Sequence, residues 1–266
     1  MREHALVERG ATVLVAVSGG ADSMALLHVL SLLRRERAFG LFAHGVDHTL
    51  RSEATTELDL AEEFARSLDV PFSRTRVAVA RGGNLQARAR ALRWEALHDA
   101  AGRCGAGRIA TGHHADDRAE TMLMRIIRGT RAGGLAVLPP RDGDRIRPLL
   151  KARRADVDAH VRRHRIPHCH DPSNDDPRFL RVRVRLEILP ALERLNPRVV
   201  EHMYALADEL DVLNERRARS ASNGLTSSND AREDDLDLGV PEARPTRPTT
   251  RTRSGRSQRQ SRQVRS

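Results

Sequence analysis

Thr12-Val13-Leu14-Val15-Ala16-Val17, then Ser18-Gly19-Gly20-Ala21-Asp22-Ser23, then Met24-Ala25-Leu26-Leu27-His28-Val29-Leu30 reads as a buried strand, a glycine-rich turn and an apolar helix. Six mostly β-branched or apolar residues in a row suit a strand covered on both faces. Gly19 and Gly20 allow a tight turn and close backbone approach to a ligand. Asp22 or Ser23 then opens a helix whose unpaired amides and positive dipole end face the turn. That combination is an anion site suited to phosphate. An ordinary βα connection remains an open alternative on this stretch alone, because short glycine motifs recur by chance.

Outward from this unit, Phe39–Ala43 forms a second strand leading into His44-Gly45-Val46-Asp47-His48. The spacing of Leu58, Ala61, Phe64, Ala65 and Leu68 predicts a helix over 52–68. A short strand lies within Val70–Val79, and Asn84 caps a helix with Leu85, Ala89, Leu92, Ala96 and Ala100 on one face. Arg108–Gly112 is a fourth strand. The helix over 116–128 turns Met122, Leu123, Ile126 and Ile127 inward. Strands alternating with helices predict an α/β fold, a doubly wound parallel sheet. Ligands bind such sheets at the carboxyl ends of the strands, where topology switches. The glycine turn, His44–His48 and His113–Asp117 therefore converge on one cleft.

Beyond Pro139-Pro140 the strand rhythm stops. Residues 153–164 and 178–194 read as helices separated by the polar loop Pro167–Pro177. A last helix from Asn196-Pro197 to about Arg217 aligns Val200, Met203, Leu206, Ala207, Leu210 and Leu213. That stripe makes a homodimer or a missing domain equally arguable. The expected organisation is a nucleotide-binding domain at 1–150, a helical part completing it at 151–195, a linker helix at 196–217 and a tail at 218–266. The tail has no aromatic residue, few aliphatic ones and much Ser, Thr, Pro and Arg. It cannot offset its ordering entropy by burial, so disorder is expected there.

Net charge is +10, and Lys151 is the only lysine. The tail holds ten arginines against six acidic residues, so residues 1–217 carry the remaining +6. This bias favours a polyanionic partner such as nucleic acid. Cys104 and Cys169 form no Cys-x-x-Cys pair. Met1-Arg2-Glu3-His4 leads into no signal-like apolar core, and no apolar run approaches the roughly 18 residues of a membrane span. A soluble cytoplasmic protein without a membrane partner is expected.

Two further stretches carry chemistry. In Thr111-Gly112-His113-His114-Ala115-Asp116-Asp117-Arg118-Ala119-Glu120-Thr121, Asp117 and Glu120 share a helix face, as do Asp116 and Glu120. These carboxylates suit a magnesium ion, an ammonium group or both. A zinc site from His113, His114, Asp116 and Asp117 competes, but an upstream phosphate turn calls for magnesium-type oxygen ligands. In Asp171-Pro172-Ser173-Asn174-Asp175-Asp176-Pro177-Arg178-Phe179-Leu180-Arg181-Val182-Arg183-Val184-Arg185, arginines 178, 181 and 185 fall on one face. An anion or neighbouring carboxylates must compensate them. Arg90, Arg93 and Trp94 make a surface able to grip phosphate and stack on a base, although Trp94 equally suits the core.

SGGADS after a strand resembles the PP-loop of the N-type ATP pyrophosphatases, and it lacks the lysine of a Walker P-loop used by kinases and GTPases. VDHTLR (46–51), NLQARARALRWEAL (84–97), TGHHADDRAET (111–121), RPLL (147–150) and DPSNDDPRFLRVRVRLEILPAL (171–192) follow in order. With them the chain resembles the bacterial tRNA(Ile)-lysidine synthases over about residues 12–195.

The resemblance implies an ATP-dependent ligase that adenylates the wobble cytidine of a CAU-anticodon isoleucine tRNA and joins free L-lysine to it. It implies ATP and Mg2+, with Ser18, Gly19, Gly20, Ala21, Asp22 and Ser23 around the phosphates and Asp22 steering the metal. Ala43 and His44 would contact adenine and ribose. Asp117 and Glu120 would hold lysine, and Asp116 or His113 would position metal or accept a proton. Asn174, Arg181 and Arg185 would stabilise phosphate charge. Two features depart from the family. Val182 stands where an asparagine is usual, and residues 218–266 do not resemble the folded domains that grip tRNA. A thiolating tRNA enzyme of the same fold and a non-catalytic or truncated RNA-binding remnant are the competing readings.

Overall fold

The computed structural model describes residues 6–47, 53–78, 85–170 and 175–223. The first half of the chain alternates as β1 (Thr12–Val17), α1 (Ala21–Arg37), β2 (Gly40–Asp47), α2 (Glu53–Ser67), β3 (Phe72–Arg76), α3 (Leu85–Cys104), β4 (Arg108–Ala110) and α4 (Ala115–Arg128). A short hairpin follows, β5 (Arg141–Asp142) and β6 (Arg145–Ile146), then α5 (Arg154–His164). The sheet order is β3-β2-β1-β4-β6-β5, and only the β5–β6 pair is antiparallel. The expected doubly wound α/β architecture is therefore present.

Within β1, Val13, Val15 and Val17 join the core shared with α1, α2 and α5. Leu14 and Ala16 face the other way, against Leu97, Ala100 and Ala101 of α3. A continuous apolar run serves both faces because side chains alternate along a strand buried on each side. The chain departs from β1 to β2 on one side and to β4 on the other, so the switch point lies between β1 and β4. The glycine turn and the His113–Asp117 segment leave the carboxyl ends of those two strands. One cleft receives both.

The β5–β6 hairpin contradicts the expectation that strands stop at Pro139-Pro140. Each strand has two residues, too short for periodicity, but Asp142-Gly143 at φ +58° for the glycine is the sequence signal of its turn. In the C-terminal part, the expected helix over 178–194 begins only at Leu180. It runs as α6 (Leu180–Arg183), a π-helical turn (Val184–Ile188) and α7 (Leu189–Leu195). The last helix, α8 (Val199–Asn223), starts after Pro197 and continues beyond Arg217. Residues 218–223 are thus helical, and the rest of the expected disordered tail lies outside the described residues. Among the described residues no helix is long and apolar enough to cross a membrane.

Helix α4 differs most from its sequence reading. Ile126 and Ile127 are 53% and 51% exposed, while Asp116, Asp117, Arg118 and Glu120 are buried. Its interior turns are charged because three other helices close over them. Ala115, Ala119 and Leu123 pack with Val184, Leu189 and Val200, and Met122 with Ala207. In α8, Val200 and Ala207 are buried but Leu206 and Leu213 remain exposed, so only part of the predicted stripe packs on α4.

Candidate active site

The loop after β1 is shaped by its own serine. Ser23 Oγ donates to Gly20 O at 2.9 Å and accepts from Ser18 N–H at 3.2 Å, with Ser18 Oγ 3.3 Å away. Gly20 is the N-cap and Ala21 the first helical residue, one position earlier than expected. The first-turn amides of α1 lack intrahelical partners by construction and point out of the loop. Gly19 requires its glycine twice over, with φ +79° and a Cβ position 2.7 Å from Glu57 O. Gly112 is equally constrained, since a Cβ there lies 2.9 Å from the Asp22 carbonyl. The strand end and the loop touch backbone to backbone.

Asp22 lies in the first turn of α1, with Oδ1 buried, without a hydrogen-bond partner and 3.8 Å from His114 Nε2. Burial raises its pKa, and Asp117 and Asp158 push the same way against His114 and Arg154. His114 is the N-cap of α4. Its N–H donates to Asp117 Oδ2 at 2.9 Å while its Nδ1 receives Asp117 N–H at 3.4 Å. That reciprocal box leaves Nε2 facing both aspartates, 3.4 Å from Asp117 Oδ2.

Across the cleft Arg181 and Arg185 cover the carboxylates. Arg181 donates from Nε to Glu120 Oε2 at 2.8 Å and from Nη2 to Asp117 Oδ1 at 2.9 Å. Arg185 donates from Nε to Glu120 Oε1 at 2.7 Å and from Nη2 to Oε2 at 3.1 Å. Burial alone raises the Asp117 pKa, but His114, Arg181 and His113 outweigh it and hold the carboxyl well below the usual range. A glycine-rich loop at a helix N-terminus therefore faces a set of carboxylates and guanidinium groups at the switch point. The PP-loop domain model matches residues 3–192, which contain all of these groups.

The chain belongs to the PP-loop domain family. It is 42% identical over 217 residues to a tRNA(Ile)-lysidine synthase of Symbiobacterium thermophilum, covering 78% of this chain and 45% of that protein. Identity to the tRNA(Ile)-lysidine synthase of Thermotoga maritima is 33% over 213 residues, covering 78% and 51%. The chain spans about half the length of the curated relatives it matches. Among solved structures it resembles a tRNA thiolase, NcsA of Methanococcus maripaludis, with its 4Fe-4S cluster. That match has TM-score 0.66 and 19% identity, covering 79% of this chain and 74% of that one, a likeness of fold.

Several expected site residues have other duties in this PP-loop protein. Asp116 gives both oxygens away: Arg153 donates from Nε at 3.1 Å and from Nη2 at 2.9 Å, and Arg154 N–H at 2.7 Å. It thereby ties the start of α5 to α4, a structural duty beside the metal role expected of it. Its carboxyl is pushed up by burial but held down overall by these contacts. Ala43 and His44 sit within β2, paired with Val15 and Ala16, not beyond the strand end. Ala43 is core, and His44 Nδ1 lies 2.8 Å from Ser73 Oγ. Burial, aided by Arg103, lowers the His44 pKa to about 4. His113 Nδ1 lies 2.9 Å from Thr111 Oγ1, and burial with Arg147, Arg181 and Arg93 outweighs Asp117 to depress it to about 3. It is neutral at neutral pH and a poor proton acceptor. Asn174 and His48 lie outside the described residues.

Arg178 leaves the expected arginine face, because it precedes the helix and pairs with Asp176. Val182 is buried, so the position usual for asparagine is filled by apolar packing. Trp94 joins the α3 core with Arg145 stacked 4.0 Å over its ring, which covers the face proposed for a base.

The zinc alternative fails on the donors. No group of three His, Cys, Asp or Glu among the described residues is arranged to hold a metal, and Asp116 and Asp117 are taken up by arginine and backbone donors. Magnesium has a different requirement, since it takes one or two carboxylates plus phosphate and water. Asp22 fits it, with a buried, unpartnered oxygen beside the loop. Sequence reading missed Arg153 and Arg154. Their signal was available, because two arginines opening a helix run against its dipole and need a carboxylate.

Proposed function

We propose that this chain is the catalytic part of an ATP-dependent ligase that forms lysidine at the wobble cytidine of CAU-anticodon isoleucine tRNA. The observation that carries the reading is the meeting, at one switch point, of a lysine-free PP-loop with Asp117 and Glu120 and with Arg181 and Arg185 opposite. Relatives named tRNA(Ile)-lysidine synthase at 33–42% identity support the same reading.

In the first step the cytidine O2 attacks the α-phosphorus of ATP, and the bond to the pyrophosphate breaks. In the second the lysine ε-amine, its ammonium proton given to water, attacks C2; the C2–O2 bond breaks with its electron pair leaving on AMP, and the newly bonded nitrogen gives a further proton to water. The first-turn amides of α1 bind the β- and γ-phosphates. Asp22 would hold magnesium, which would supply charge neutralisation on the phosphates. Arg181 and Arg185 stabilise charge developing at phosphate. Asp117 and Glu120 receive the ammonium of the incoming lysine. His113 acts as a neutral hydrogen-bonding group.

The competing reading, an RNA-binding protein without turnover, rests on the net charge of +10 alone, and the named relatives do not favour it. The thiolating reading is weaker. Cys104 ends α3 at the amino-terminal side of β4, whereas Cys169 donates its N–H to Gly19 O at the opposite end of the sheet. The test supplies CAU-anticodon isoleucine tRNA, ATP, magnesium and labelled lysine. Label in RNA is expected, and Asp22→Ala abolishes it while salt-sensitive RNA binding survives. No incorporation by a chain that still binds ATP overturns the ligase.

A further inference from the structure

The two carboxylates assigned above to lysine are already satisfied by the chain's own cations. Glu120 accepts three hydrogen bonds from Arg181 and Arg185. Asp117 accepts from Arg181 on one oxygen and from the His114 backbone on the other. The arginines occupy the open side: their side chains are 39% and 20% exposed, against 0% for Glu120 and 11% for Asp117. An ammonium group coming from solvent meets two like charges before it meets either carboxylate.

The arrangement also resists simple opening. If Arg181 and Arg185 leave alone, Glu120 is left enclosed without a counter-charge, which is the expensive way to break a buried pair. Their departure needs both an anion to receive them and a cation to replace them. The anion's place is the loop after β1, and Arg185 already lies within electrostatic reach of Asp22 there. Both arginines flank the junction of α6 with a π-helical turn, a helix irregularity frequent at functional sites.

We infer that Arg181 and Arg185 form an exchange gate: a polyphosphate on the loop draws the guanidinium groups away, and the vacated Asp117 and Glu120 then take an ammonium ligand. The identity of the two ligands as ATP and lysine rests on the proposed function. The gate makes nucleotide and amino acid bind cooperatively, with ATP entering first. By linkage each raises the affinity of the other by the same factor.

The test titrates L-lysine into the full chain with magnesium, with and without α,β-methylene-ATP, whose replaced bridge prevents turnover. Lysine affinity is expected to rise by at least about fivefold with the analogue, the lower end of ordinary coupling, while norleucine shows no such rise. Arg185→Gln should strengthen lysine binding in the absence of nucleotide and bring the coupling below that floor. Equal lysine affinity in the two states of the unaltered chain overturns the gate whether or not the variant folds. So does full coupling in a folded Arg185→Gln protein. Incorporation of lysine into tRNA, measured alongside, separates the two failures: if it persists, the gate alone is lost.

Discussion

Replacing Glu120 by glutamine removes one charge and almost no volume from the centre of the candidate site. Three arginine hydrogen bonds converge on the two carboxylate oxygens. Glutamine offers one carbonyl oxygen and turns an amide donor toward a guanidinium donor. Removing one partner of a buried ion pair costs about 3–5 kcal/mol. Arg181 and Arg185 are 39% and 20% exposed and can turn partly toward water, which reduces the loss to about 2–3 kcal/mol. Denaturant unfolding should show a lower midpoint at unchanged slope, with a melting temperature about 4–12 °C lower. Added salt should restore little of it, because buried pairs are weakly screened. In the same protein, lysine binding should weaken while nucleotide binding is retained. A stability change under about 0.5 kcal/mol, the size of an ordinary surface substitution, refutes the reasoning. The arginines would then not be holding α6 to α4 through Glu120.

Three further outcomes follow from the same contacts. Gly112→Ala places a Cβ 2.9 Å from the Asp22 carbonyl and 3.0 Å from Ser23 N. That overpacking costs about 1–3 kcal/mol and displaces the loop, so a fluorescent ATP analogue should bind at least about fivefold more weakly to a protein with unchanged circular dichroism; unchanged affinity refutes it. Arg118→Met removes the buried cation that donates to Val137 O at 2.8 Å and Asp208 Oδ1 at 2.6 Å and stacks on Tyr204. About 2–4 kcal/mol of stability should be lost in urea unfolding and partly recovered with Asp208→Leu; a double variant no better than the single one counts against the pair. His44, depressed to about 4 by burial, is neutral when folded, so the unfolded chain binds its proton more readily between about pH 4 and 6.5. Stability should therefore fall as pH drops through that window, by up to roughly 3 kcal/mol from this group, and His44→Gln should flatten the slope. An identical slope in the variant refutes the assignment.

The alternation of β1 to α4 was legible because each element obeys a single periodicity. The glycine turn was legible because loop chemistry is local. What resisted reading was α4. Asp116, Asp117, Arg118 and Glu120 on a helix ordinarily mark its wet face, and Ile126 with Ile127 its core face. The pattern inverts because the partners of these charges, Arg153, Arg181, Arg185 and Asp208, are 37 to 90 residues away. Periodicity counts apolar residues and cannot see a charge neutralised by a distant one. The carboxylates themselves were identified as site residues, yet the arginines expected to face phosphate turn out to face them. A sequence names both halves of an ion cluster without showing that they meet.

One turn of α4 fastens three helices in three directions. Asp116 holds the start of α5 through Arg153 and the Arg154 amide. Asp117 and Glu120 hold α6 and the π-helical turn. Arg118, between them in sequence, points the other way and bolts α8 to the same turn through Asp208 and the Tyr204 ring. The carboxylates that face the PP-loop thus share a rigid turn with the anchor of the C-terminal helix. Displacing α8 pulls on Arg118 and must move Asp117 and Glu120, whereas the loop amides of α1 are held separately by Ser23 and Gly112. Loosening the anchor by Arg118→Met should consequently weaken lysine binding more than nucleotide binding. Equal losses would place the damage in the whole fold, while a selective loss makes α4 the element through which α8 acts on the site.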